Sequence, residues 1–275
     1  EVTDTWVWID GRVVPAERAK VAATDQALLV GRGVFETVRL CGSTPFALGR
    51  HLARLRRSAA IVGLTVPWDD DLLRRAGQDA IAAASQDGPV DGRLRITVTG
   101  GPEGGDPALV VSVTPAALPT GPVSVAVSPW PVNEHGPLVG AKTTSRFDYR
   151  LAFDDARRRG ADEAILLNTS GMLVEGSGTT QFLVVAGRLS TPGPATGCLP
   201  GVTRDLVGEL VEVHERDDLT VDDLRFAPEA FLTSTTRGVQ PITSVDGEPL
   251  RSAPGPLTMA ARTALDKLRA STDEP

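Results

Sequence analysis

Pro115-Ala116-Ala117-Leu118-Pro119-Thr120-Gly121-Pro122 is followed directly by Val123-Ser124-Val125-Ala126-Val127. The first of these stretches breaks helical and strand periodicity alike, and the second alternates as a strand does. A domain boundary is expected here, with residues 1–117 forming a small N-terminal α+β domain, 118–122 a linker and 123–275 a larger C-terminal domain. Upstream, Thr5 to Ile9 reads as a strand turned by Asp10-Gly11, and Val34 to Leu40 as another. Leu52, Leu55, Ala59 and Val62 share one face of a helix, and a second helix starts at Asp69 or Asp70 and runs to about Ser85. Leu94, Ile96 and Val98 alternate with Arg93, Arg95, Thr97 and Thr99, the period of a half-buried strand, and Ala108 to Val113 is its natural partner. Downstream, an irregular segment holding Lys142 leads to a helix from about Ser145 to Arg159 and a strand Glu163 to Leu167. A strand pair follows around Leu173–Glu175 and Gln181–Val185. A helix over 201–213, a strand running into a turn over Phe231 to Thr236 and a last helix from about Leu257 to Leu268 follow.

The 275 residues are 41% hydrophobic and 4% aromatic, enough for a sizeable core. Acidic residues outnumber basic ones 35 to 28, so the charge of −7 argues against a phosphate-backbone binder, and no nucleic acid is expected as a partner. Cys41 and Cys198 match neither a disulfide framework nor a zinc spacing, His51, His135 and His214 are too scattered for a metal cluster, and no metal is expected. No apolar run approaches a membrane span and Glu1-Val2-Thr3-Asp4 lacks a secretory pattern, so a cytoplasmic protein away from the membrane is expected. Of the 28 basic residues only Lys20, Lys142 and Lys267 are lysine. Chemistry that needs a primary amine therefore has three places to go.

Lys142 lies between Gly140-Ala141 and Thr143, without the charged run that usually surrounds a surface lysine, a setting that suits an amine attacking a carbonyl. Leu199-Pro200-Gly201-Val202-Thr203 enters a helix and offers unpaired N–H groups and a positive dipole end to an anion. Thr233-Ser234-Thr235-Thr236 before Arg237-Gly238 is a second hydroxyl-rich seat, and Glu175 ends an apolar strand where a bare carboxylate would be costly. Each feature taken singly reads more simply as an ordinary turn, cap or surface charge. Together they describe a pocket for pyridoxal phosphate (PLP): an amine, two phosphate seats and a carboxylate to hold the pyridine nitrogen protonated.

With these features the chain resembles the fold-type IV PLP enzymes, the class IV aminotransferase family that also contains 4-amino-4-deoxychorismate lyase. The resemblance runs through Trp8-Ile9-Asp10-Gly11, Gly31-Arg32-Gly33-Val34-Phe35-Glu36-Thr37-Val38-Arg39, His51-Leu52-Ala53-Arg54-Leu55, Lys142-Thr143-Thr144-Ser145, Glu175-Gly176, Leu199-Pro200-Gly201-Val202-Thr203-Arg204 and Ser234-Thr235-Thr236. It implies a two-domain α+β architecture like that of D-amino acid aminotransferase, with the cofactor in the interdomain cleft, and a homodimer in which a partner loop closes the site. It further implies Lys142 as Schiff-base lysine and proton shuttle, Glu175 as partner of the pyridine nitrogen, and Arg54, Val202, Thr203, Thr235 and Thr236 as the phosphate shell. The resemblance alone promotes Arg54, which otherwise reads as a solvated helix charge.

Branched-chain aminotransferases usually carry Gly where this chain has Thr37, and D-amino acid aminotransferases tend to carry Arg where it has Gly100. The segments Phe35 to Arg39, Pro45-Phe46-Ala47-Leu48 and Lys142 to Ser145 look most like aminodeoxychorismate lyases of folate synthesis. The leading expectation is therefore conversion of 4-amino-4-deoxychorismate to 4-aminobenzoate and pyruvate, and the alternative is a class IV aminotransferase acting on an amino acid or amine with a 2-keto acid acceptor. Thr37, Arg95, Arg146 and Arg237 are candidates for the substrate wall. Phe147 stands where many relatives carry Asn or Tyr and cannot hydrogen-bond the cofactor.

Overall fold

The computed structural model describes residues 5–119 and 121–275. The N-terminal residues Glu1-Val2-Thr3-Asp4 and the linker residue Thr120 lie outside the described residues. The chain divides into two compact units. The first runs through Leu118 and adds Ala141–Arg146 and Thr272–Pro275; the second comprises Pro119–Gly140 and Phe147–Ser271.

In the first unit β1 (Trp6–Ile9), β2 (Arg12–Pro15), α1 (Gln26–Leu29), β3 (Gly33–Cys41), β4 (Thr44–Pro45), α2 (Leu48–Ile61), α3 (Asp70–Ala84), β5 (Gly92–Thr99) and β6 (Leu109–Pro115) follow in order. The strands form an antiparallel sheet in the order β2-β1-β6-β5-β3-β4. Alternation gives this sheet its core face: Val34, Val38, Leu40, Leu94, Ile96, Val98 and Val111 pack against Leu52, Leu55 and Ala59 of α2 and Leu73, Ala76 and Ala80 of α3. Asp69 starts α3 by accepting the Leu72 N–H, as an N-cap should. On the other face Thr37 lies opposite Arg95, and Phe35 opposite Thr97.

Lys142 was expected inside a continuous C-terminal domain, yet its segment belongs with the first unit. Backbone pairing is the reason. Phe35 donates to the Lys142 carbonyl at 3.0 Å, Thr144 donates to the Gly33 carbonyl at 2.9 Å, and Val34 bridges Thr143, so residues 142–144 run antiparallel beside the start of β3. Gly33 makes the approach possible, because a Cβ there would stand 3.0 Å from both Thr144 Oγ1 and the Val98 carbonyl.

The second unit holds β7 (Val123–Val127), α4 (Phe147–Arg158), β8 (Glu163–Leu167), β9 (Leu173–Gly176), β10 (Thr180–Val185), β11 (Arg188–Pro192), α5 (Val202–Leu210), β12 (His214–Arg216), α6 (Val221–Arg225), β13 (Ala230–Ser234), β14 (Gly238–Val245), β15 (Glu248–Pro249) and α7 (Pro256–Ser271). Its sheet runs β12-β11-β10-β13-β14-β7-β8-β9, parallel at β11/β12, β14/β7 and β7/β8. Val125, Ile165, Leu173, Leu183, Leu232 and Ile242 build one core. Ala126, Ala164 and Leu166 pack with Ala152 and Ala156 of α4 in another.

Several expected boundaries shift. The helix expected from Ser145 begins at Phe147, because Thr144 is held by the Gly31 and Gly33 carbonyls. The helix expected over 201–213 ends at Leu210, since Val211 turns extended to reach β12. Phe231 to Thr236 is, as expected, a strand running into a turn: β13 stops at Ser234, and Thr235-Thr236-Arg237 form the turn into β14, where Gly238 takes φ +65.

Candidate active site

In the first unit the notable group is a carboxylate on the core face. Glu36 falls in the same strand series as Val34 and Val38 and is fully buried, so its charge requires partners. They come from α2, one turn apart: Arg54 donates through Nε to Oε1 and through an Nη to Oε2, both at 2.7 Å, and His51 Nδ1 lies 2.7 Å from Oε2. Burial pushes the Glu36 carboxyl up, but the Arg54 charge and the hydrogen bonds from Arg54 and His51 outweigh it and hold the group at about 2. Burial pulls the His51 imidazole below its ordinary range, against the opposing effect of Glu36. Arg54, read from its surroundings as a solvated charge, is 4% exposed and oriented by two parallel bonds.

Lys142 is fixed through its backbone, whose N–H donates to Ser58 Oγ at 3.0 Å. Its Nζ lies 4.7 Å from the centroid of the Phe35 ring, and the Arg95 guanidinium lies 3.7 Å from the same centroid. Two candidates scattered in sequence are thus brought to one aromatic ring, with Thr37 beside Arg95 in register. Burial and the neighbouring Arg93 pull Arg95 down to about 10. Arg95 donates to Thr97 Oγ1 and has no acidic partner within ion-pair distance among the described residues. Arg146 closes the Lys142 segment, half-buried, with its N–H on the Thr144 carbonyl. Phe147 is 73% exposed.

In the second unit Glu175, on β9, is 4% exposed. Its hydrogen bond comes from the Leu199 N–H to Oε2 at 3.2 Å, and no cation faces it among the described residues. Leu199 belongs to the loop that enters α5. That helix has Gly201 as N-cap and no side-chain cap; its first internal bond is from Asp205 to the Gly201 carbonyl, so the N–H groups of Val202, Thr203 and Arg204 precede the ladder. Gly201 lies close to β10, and a Cβ on it would come 3.1 Å from Thr180 Oγ1. Thr180 pairs with Thr233, which leads within three residues to Thr235 and Thr236. Arg237, a substrate candidate, faces Glu163 at 3.3 Å and donates to Gln240 Oε1 at 3.1 Å.

The donor set fits the cofactor that the resemblance implies. A first helical turn without a cap, with threonine hydroxyls on Thr203, Thr235 and Thr236, suits a phosphate. A buried carboxylate facing no cation suits a protonated ring nitrogen, and an amine on a fixed backbone suits an aldehyde. Glu36, His51, Phe35 and Glu163 carry no role in the sequence reading. For Glu36 a signal exists, a charge in phase with the apolar residues of its strand; for Glu163 the strand reading offers none.

Residues 33–245 match the family model for amino-transferase class IV. The branched-chain-amino-acid aminotransferase of Salmonella typhimurium is 32% identical over 269 residues, 88% of this chain and 85% of that protein. The crystal structure of a branched-chain aminotransferase from Thermoproteus uzoniensis, determined with norvaline, aligns with TM-score 0.86 at 33% identity over 96% of this chain and 94% of that one. A Legionella pneumophila structure assigned as a 4-amino-4-deoxychorismate lyase aligns with TM-score 0.84, but at 23% identity over 92% of this chain and 96% of that one it shares the fold alone. A family model matching residues 33–245 and aminotransferases at 32–33% identity over most of both chains show that the chain belongs to the class IV aminotransferases and is a PLP-dependent enzyme.

Proposed function

We propose that the enzyme is an aminotransferase that moves the amino group of an amino acid to a 2-keto acid. The observation that carries this reading over the lyase is the near full-length similarity to aminotransferases at 32–33% identity. When bound, PLP supplies an electron sink for the pair left as the substrate Cα proton departs. Lys142 Nζ takes that proton and returns it, as general base and then general acid. Glu175 would accept a hydrogen bond from the ring nitrogen and keep it protonated, and Arg54, Val202, Thr203, Thr235 and Thr236 are the residues that would hold the phosphate.

Arg95 is the side chain we assign to the substrate carboxylate, because a half-buried guanidinium with no acid within ion-pair distance among the described residues gains from an incoming anion. Arg95→Gln is expected to raise KM for the amino acid by about 10- to 100-fold, the worth of a charge-assisted hydrogen bond, with PLP affinity unchanged. Steady-state kinetics at saturating PLP and a separate PLP titration check the two halves of that statement. Thr37 opposite Arg95 and the half-buried Arg146 remain proposed parts of the same wall.

The test of the reaction is a pair of assays on the holoenzyme. Branched-chain L-amino acids, L-alanine and D-alanine are each offered with 2-oxoglutarate, and 4-amino-4-deoxychorismate is offered alone. Keto-acid-dependent transfer without lyase turnover supports the proposal. Release of 4-aminobenzoate and pyruvate with no keto acid present, and no amino transfer, would replace it with the lyase.

We further propose a homodimer. Leu28 and Leu29 of α1 and the adjoining Val30 are 68%, 63% and 70% exposed, with Val21 at 50% in the segment before it, an apolar stretch of the kind that marks an interaction surface. Leu28→Asp with Leu29→Asp is expected to shift the sedimentation coefficient from dimer to monomer. An unchanged coefficient places the contact elsewhere.

A further inference from the structure

Glu163 begins β8, is 1% exposed, and has no part in the chemistry described so far. Its two oxygens face different segments. Oε1 accepts the Ala164 N–H at 3.0 Å, the Ser177 N–H at 3.2 Å and the Ser177 hydroxyl. Oε2 faces an Arg237 Nη at 3.3 Å. Arg237 is itself held, by Gln240 Oε1 at 3.1 Å through its other Nη and by Ser234 Oγ at 3.2 Å through its N–H, while Gln240 Nε2 donates to the Gly121 carbonyl at 2.7 Å. One buried carboxylate thereby ties the loop two residues beyond Glu175 to the turn that contains Thr235 and Thr236.

We infer that Glu163 is a positioning residue for the cofactor, which fixes the Glu175 strand end through Ser177 and the Thr235-Thr236 turn through Arg237. The inference rests on the assignment of Glu175, Thr235 and Thr236 to PLP made above. It also moves Arg237 out of the substrate wall. A guanidinium engaged by Glu163 and Gln240 holds the turn in place, whereas a guanidinium that grips substrate needs its donors for the incoming carboxylate. The end of the turn is set by Gly238, which takes a left-handed φ of +65 that favours glycine. Burial pushes the Glu163 carboxyl up, and the facing guanidinium opposes that push. Removing either partner leaves the other one desolvated and the turn without its anchor.

The experiment uses the full chain with Glu163→Gln, Arg237→Gln, the double variant, and Ser177→Ala as a milder change should the buried substitutions fail to fold. PLP dissociation constants, the 31P NMR shift of bound PLP, and amino-acid KM at saturating PLP are measured for each. Positioning predicts a PLP dissociation constant raised about tenfold or more in either single variant, the scale of one charge-assisted hydrogen bond. It also predicts a displaced 31P resonance, KM within about twofold of wild type once PLP saturates, and a double variant little worse than either single one. Ser177→Ala should move the same readouts in the same direction by less. A lowered melting temperature with unchanged PLP affinity and 31P shift makes Glu163 purely structural and overturns the inference. So does an Arg237→Gln variant that raises KM and leaves PLP affinity alone. If wild type itself takes up no PLP, the cofactor assignment fails first and is recognised by that separate result.

Discussion

Lys142→Ala is expected to bind PLP without a covalent link and to lose more than about 10⁴-fold in kcat/KM, since a positioned acid–base group contributes up to that factor and the covalent anchor adds to it. The fold should tolerate the change. What holds the segment is backbone, namely the Lys142 N–H on Ser58 Oγ and the Lys142 carbonyl on the Phe35 N–H, and alanine keeps both. The side chain beyond Cβ contributes a half-buried stem and a cation above Phe35, so the loss in stability should stay near 1 kcal/mol. Borohydride reduction followed by peptide mapping separates the three lysines. Lys20 and Lys267 are both exposed, and Lys20→Arg and Lys267→Arg should leave the label on residue 142 and the visible band of the holoenzyme intact. A reduced cofactor recovered on the Lys142→Ala chain would remove this lysine from the mechanism.

How much of this was legible in the sequence depends on how each residue announces itself. The helices α2 and α3 and the strands β3 and β5 carry apolar residues at a clean period, α3 with a proper cap as well, and their faces follow from it. The strands β11 and β14 do not. β11 buries Ser190 and Thr191 and ends in Pro192, while β14 buries Gln240, so polar side chains occupy inward positions that only their tertiary partners justify. Thr191, for example, donates its hydroxyl to the Gln181 carbonyl. Among site residues, Lys142 is conspicuous because lysine is rare in the chain, and the α5 start because Pro-Gly before an amphipathic run has a mechanism. Arg54 is singled out by the resemblance alone, and Arg95 and Arg237 are two of 25 arginines that periodicity does not rank. Their distinction is environmental: Arg54 faces a buried carboxylate, Arg95 faces a ring with no acid at hand, and Arg237 faces Glu163. Proximity across a sheet or between helix and strand decides each case, and periodicity carries no record of it.

Glu36→Gln is expected to destabilise the protein by about 3–5 kcal/mol near neutral pH, because it leaves the buried Arg54 guanidinium without its counter-charge. This cost belongs to breaking the pair; a well-packed apolar replacement of all three partners would test a different quantity. The pH dependence identifies the mechanism. Glu36 has a folded value of about 2 against an ordinary 4.5, so its ionisation stabilises the folded chain fully above the ordinary value, and that stability is lost as pH falls through the folded one. Over that window the linkage is worth about 3 kcal/mol, at 1.36 kcal/mol for each unit of difference. His51 titrates against the same carboxylate, so the comparison is made in a His51→Gln background, where Glu36 is the group of the cluster that still changes charge with pH. Urea unfolding of that protein and of its Glu36→Gln derivative at pH 6 and pH 3 should show the stability gap narrowing at the lower pH, while the other carboxylates, common to both chains, cancel. The same substitution should weaken PLP binding, since the amide offers one acceptor oxygen in place of two and the bidentate geometry that aims Arg54 is lost. A gap that is constant between the two pH values would mean that the Glu36 charge does not hold Arg54, and the assignment of this cluster as the support of a phosphate ligand would fall with it.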